Sequence, residues 1–116
     1  MKTILLLLFA AAAFFIQEKA PRLNGTYKVV YDKNYGLQPY TITFSDSTYI
    51  KKMPDAVTTK GKIHYEKYKV TLRKNNDEDP VVIDIREAAK DTIKFVVKSK
   101  ADLSRNVHYG RFIRSR

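Results

Sequence analysis

The residue whose chemistry is simplest to state is Arg111, in the segment Tyr109-Gly110-Arg111-Phe112-Ile113-Arg114. Side chains alternate between the two faces of a strand. Alternation places Val107, Tyr109, Arg111 and Ile113 together on the inner, apolar face of residues 107–114. An arginine in such a place needs a partner. It can stack on an aromatic ring, for which Tyr27 is the candidate, or grip an anionic head group such as a carboxylate with its planar fork. Tyr109 and Lys51 would assist in the second case, since the register of its own strand turns Lys51 inward. If the alternation is off by one residue, Arg114 takes the inner place instead.

Other groups add little that points to catalysis. Tyr27, Tyr31, Tyr40, Tyr49, Tyr65, Tyr68 and Tyr109 fall on inner faces, and a buried phenol wants a hydrogen-bond partner. They pair with one another and with backbone, or they line a pocket of mixed polarity, or a few sit at the rim with the hydroxyl in water. In the loop 32–38, Tyr35 and Leu37 are placed either to overhang an open end or to pack down on its rim, with Gly36 giving the backbone freedom. His64 and His108 read as outward. No serine sits in a Gly-x-Ser-x-Gly context, and no histidine pair has metal-ligand spacing. Asp77-Glu78-Asp79 lacks the alternating ligands of a calcium loop and reads as a solvated turn. The expectation is therefore no catalytic residue, no metal and no cofactor.

The elements that would hold these residues follow from period-two patterning. Residues 25–31 put Tyr27, Val29 and Tyr31 on one face; residues 39–45 put Tyr40, Ile42 and Phe44 there. Asp46-Ser47 turns the chain into residues 48–53, pairing Phe44 with Tyr49. Met53-Pro54-Asp55-Ala56 interrupts the pattern, because proline cannot donate to a ladder. Residues 58–65 turn Ile63 and Tyr65 inward. Glu66-Lys67 is read as a two-residue turn that pairs Tyr65 with Tyr68, so that Tyr68, Val70 and Leu72 face in. Val81, Ile83 and Ile85 form the next inner row, Ile93, Phe95 and Val97 the one after, and residues 107–114 close the series. These make about eight short strands. Their connections are too short for parallel crossovers, which predicts an antiparallel up-and-down meander that closes into a barrel.

The chain opens with Met1-Lys2 and then thirteen apolar residues, 4–16. That is short of the roughly 20 needed to cross a membrane as a helix. One positive charge before a short apolar run is the layout of an export signal. Ala11-Ala12-Ala13 has the small-x-small form, and cuts after Gln17 or Ala20 are alternatives. The expected organisation is a signal-peptide helix over residues 1–20 and a single domain over 21–116, periplasmic or extracellular and monomeric, with no membrane segment after processing. There is no cysteine, so disulfides, thiolate chemistry and lipid attachment at cysteine are excluded. The net charge of +10 favours acidic partners. Lys28, Lys60, Lys62, Lys69, Arg73, Lys94 and Lys98 face outward. They are read as alternating with threonines and acids rather than clustering with exposed aromatics, and no nucleic-acid role is expected.

Asn24-Gly25-Thr26-Tyr27 at the first strand, with an Arg-bearing last strand, resembles the lipocalin-like (calycin) barrels. There a Gly-x-Trp motif opens strand one, and an arginine of the last strand packs over that Trp. The resemblance covers residues 24–114 and is closest to the small secreted lipocalin-like proteins of Bacteroidetes-type bacteria. Tyr27 stands where the family has Trp. The resemblance implies a cup that binds a hydrophobic or amphipathic, lipid-like molecule, with Arg111, Tyr109, Lys51, Tyr27, Tyr35 and Leu37 as its residues. The alternative is a non-enzymatic module whose basic exterior docks on an anionic envelope component or an acidic partner protein.

Overall fold

The computed structural model describes residues 21–75 and 77–115. The export segment expected over residues 1–20 lies outside the described residues. Eight strands follow in order: β1 Gly25–Tyr31, β2 Thr41–Ser45, β3 Thr48–Lys52, β4 Thr58–Tyr65, β5 Lys69–Arg73, β6 Val81–Asp84, β7 Thr92–Lys98 and β8 Asn106–Arg114. Every neighbour in sequence is an antiparallel neighbour in space, and β8 pairs with β1 to close the barrel. Closure leaves no unpaired edge, which suits a small sheet protein that has no cysteine to cross-link.

Alternation builds the core as expected along most strands. Tyr27, Ile42, Phe44, Tyr49, Val70, Leu72, Ile83, Ile93 and Phe112 are all buried inside the barrel. The β2–β3 turn holds Asp46 at φ +55°, a left-handed conformation that Asp tolerates, and sets Phe44 opposite Tyr49. Rings then run along the barrel in contact. Phe44 meets Phe112 edge-on at 5.8 Å, Phe112 stacks on Phe95 at 4.4 Å, and Phe95 meets Tyr31 at 6.1 Å. The middle of the barrel is filled by its own side chains, as an eight-stranded barrel is sized to be.

Three local expectations are corrected. Tyr65 pairs with Val70, not Tyr68, because the β4–β5 turn is wider and closes through Glu66 N–H donating to the Lys69 carbonyl. Tyr68 is therefore at the tip of the turn and 72 % exposed. Ile85 leaves the sheet: the Asp84 carboxylate accepts the Arg86 N–H at 2.9 Å and starts a 3-10 turn over Ile85–Glu87. The third correction concerns β8. Val97 pairs with His108 but Lys98 pairs with Asn106, so Val107 is an extra residue, a β-bulge. A bulge reverses which parity faces inward. Beyond it Gly110 and Phe112 are buried while Tyr109 and Arg111 are exposed.

Candidate functional site

The two ends of the barrel differ. At one end the register sets Tyr27 directly opposite Arg114. The Arg114 guanidinium lies 4.7 Å from the centre of the Tyr27 ring, its Nε donates to Asp91 Oδ1 at 2.8 Å and its Nη1 donates to the Asn24 carbonyl at 3.1 Å. Gly25 has φ +101°, and a Cβ there would stand 2.6 Å from Arg114 Nη1. This glycine therefore gives both the backbone conformation and the room for the guanidinium. The Tyr27 hydroxyl donates to the Lys90 carbonyl at 3.2 Å. Leu23 is buried beneath this layer, its N–H donating to the Tyr65 hydroxyl at 3.1 Å. The end is shut.

The stacking arginine is thus Arg114, and the inward place expected for Arg111 is corrected. Arg111 projects from the outer wall of β8 opposite Lys94, and Tyr109, expected beside it in the interior, is 47 % exposed on the same wall. The bulge at Val107 is the cause. Either alternation of residues 107–114 carries apolar residues and an arginine, so patterning alone could not choose between them.

The other end is open and polar. Tyr40 and Tyr49 are buried there, with Tyr31 beside them partly buried. Lys51 points inward as expected and sets its ammonium 4.5 Å from the centre of the Tyr40 ring. Among the described residues no carboxylate lies within ion-pair distance of Lys51; burial pushes its pKa down, and the more distant charge of Glu78 partly restores it. The loop 74–80, read from sequence as solvated, brings Glu78 to this end. Its Oε1 accepts from the Tyr49 hydroxyl at 3.4 Å and from the Lys74 N–H at 2.8 Å. No sequence signal singled out Glu78 from its acidic neighbours.

Tyr35 folds down on the rim rather than across the opening. Its hydroxyl accepts the Tyr109 N–H at 3.1 Å, and its ring meets His108 at 4.5 Å and Tyr31 at 5.9 Å. Leu37 remains 43 % exposed. His108, expected to face out, is half-buried by the same bulge, and its Nδ1 is enclosed with no hydrogen-bond partner among the described residues. Where β1 and β2 part beyond Val29, a cleft of about 460 Å³ crosses the rim. Val29, Pro39, Tyr40, Met53 and Pro54 form its apolar walls, and Lys28 and Lys52 flank it. Of the six residues expected to bind ligand, Lys51, Tyr35 and Leu37 belong to or border the open end, Tyr27 is sealed at the closed end, and Arg111 and Tyr109 lie outside.

Burial raises the pKa of Tyr27, Tyr31, Tyr40 and Tyr49 above the ordinary 10, with Glu78 adding to the effect at Tyr49. The unfolded chain releases these phenolic protons near pH 10, while the fold holds them. Their stabilisation is therefore complete below that pH and is lost as pH rises through the folded values. Alkaline unfolding should begin above pH 10, with phenolate absorbance and loss of the β circular-dichroism signal moving together. Phenolate from Tyr40, isolated by difference from a Tyr40→Phe variant, must not appear before the fold is lost.

These features define a closed eight-stranded antiparallel barrel, sealed at one end by an arginine on a tyrosine and lined at the other by tyrosines around an inward lysine. Comparison with family models, with curated proteins and with solved structures finds no match to this chain.

Proposed function

We propose that this chain is an exported, non-enzymatic binding barrel that takes a small amphipathic anion at its open end. One observation carries the reading: Lys51 is turned inward among tyrosines with no carboxylate of the described residues in ion-pair contact. A largely buried cation without a close counter-charge is costly, and a ligand carboxylate would supply the missing partner. Because rings fill the middle of the barrel, the apolar part of the ligand lies in the rim cleft against Val29, Tyr40 and Met53. Lys28 and Lys52 add attraction for the anion. Among the described residues neither has an ion-pair partner. The apolar leader over residues 4–16 supports export, and Arg114 stacked on Tyr27 supports the resemblance to small secreted lipocalin-like proteins.

The test is titration of the detergent-free protein with decanoate, followed by native mass spectrometry and calorimetry. Saturable binding with one ligand per chain is expected. Lys51→Met should weaken it about tenfold or more, as loss of one charge-assisted hydrogen bond does. The same substitution should raise stability by about 1 kcal/mol, since activity and stability compete at such sites. Arg111→Met should bind as the wild type does. Absence of saturable binding, or equal affinity in Lys51→Met, would overturn the proposal.

A further inference from the structure

The outer wall of the barrel sorts its charges in a way that corrects the expected alternation with acids. Of the eleven Asp and Glu among the described residues, Asp84 alone lies in a strand; the rest lie in loops or in the 3-10 turn. Strands β1 to β5 carry seven Lys and Arg, six of them on the outer wall and Lys51 inside, and no acid. The register sets Lys62 directly opposite Arg73, and Lys62 faces Thr48 on its other side. Like charges directly opposite on one sheet face are destabilising. No acid among the described residues forms an ion pair with either of them.

Arg73 stands at one end of a groove of about 510 Å³ on this wall. His64, Thr71 and Val82 are cross-strand neighbours on β4, β5 and β6 and make its floor. Lys98 and Leu103 form its far side, Leu103 coming from the β7–β8 connection. The one acid that reaches it, Glu66, is 3.6 Å from Lys69. The Arg73 Nε is enclosed and has no hydrogen-bond partner among the described residues. An enclosed, unused guanidinium donor is an unmet demand for an acceptor, because a buried polar group without a partner costs free energy.

We infer that this groove is a second binding site, for a tetrahedral oxyanion, phosphate or sulfate, held by Arg73 and either free or carried on a saccharide that lies along the floor. The guanidinium fork suits such an anion, and an oxyanion there would offset the repulsion between Lys62 and Arg73; a turn of the Arg73 side chain toward the groove would bring the enclosed Nε–H to it. The site is on the outer wall and does not depend on what the open end binds.

The experiment follows the Arg73 Nε–H resonance by NMR during titration with inorganic sulfate and, separately, with a sulfated disaccharide. The Arg73 signal should shift to saturation with at least one of them. Equal affinity for both identifies a site for the free ion, and tighter binding of the disaccharide identifies a saccharide site. Arg73→Gln should lower the affinity about tenfold or more, and Arg73→Lys, which keeps the charge and the fold, should lose most of the same affinity. Arg111→Gln removes equal charge elsewhere on the wall and should cost no more than about two- to threefold, the share of general electrostatic attraction. No movement of the Arg73 signal, or losses in Arg73→Lys and Arg111→Gln that are equal, would overturn the site.

Discussion

Phe112→Ala should lower the stability of the domain by about 4 kcal/mol, the upper part of the range for removing a fully buried phenylalanine. Phe112 has no exposed surface and touches three rings: Phe44 on β2 at 5.8 Å, Phe95 on β7 at 4.4 Å and Tyr40, just before β2, at 6.4 Å. Neighbours cannot collapse into the space it leaves, because each is held by a closed ladder. A domain of this size has about 5–15 kcal/mol in total, so the variant should lose about a quarter or more of its stability. Urea unfolding measures the effect as a fall in midpoint at constant slope. A loss below about 1.5 kcal/mol would mean that Phe112 does not occupy the middle of the barrel.

The second large effect separates two arginines three residues apart. Arg114→Met should cost about 2–3 kcal/mol, because it removes at once the stacking on Tyr27, the contact with Asp91 and the bond to the Asn24 carbonyl. Arg111→Met should stay within about 0.5 kcal/mol, as surface substitutions do. Pairing Arg114→Met with Tyr27→Leu in a double-mutant cycle should give a coupling of about 1 kcal/mol. The reverse ranking, with Arg111 costly and Arg114 neutral, would place the bulge elsewhere and undo the description of both ends.

Much of this architecture was legible in residue order. The alternation in residues 25–31, 58–65 and 93–97 needs no partner to be read, since an inward polar side chain would be penalised in any sheet that buries one face. The short connections then left the antiparallel meander as the simplest path. The closed end was half legible: an inward arginine stacked on Tyr27 is one of the two roles expected for that side chain, yet patterning misplaces its number. Residues 107–114 have apolar side chains on both parities, and the only local sign of the true register is Gly110. A Cβ on Gly110 would stand 2.6 Å from Phe95 Cζ and 2.8 Å from the Val30 carbonyl oxygen, so a bare Cα must face inward there. That requirement comes from the neighbouring strands β7 and β1, the second of them at the other end of the domain's sequence.

The open end shows the same division more sharply. The inward direction of Lys51 follows from its distance to Tyr49 and from the turn at Asp46-Ser47, all local. The approach of Glu78, the folding of Tyr35 onto His108 and the cleft between β1 and β2 depend on loops whose polar composition fits many paths. The charge on the outer wall divides in the same manner. Residue order alone determined an all-β chain without disulfides, the strand pairs joined by the tightest turn and most of the inward row, because burial, turn geometry and cysteine chemistry act over a few residues. Tertiary structure alone decided which arginine seals the barrel, which acid reaches its mouth and that Lys62 and Arg73 face one another, because each depends on register between strands, and register is settled only when the whole ring closes.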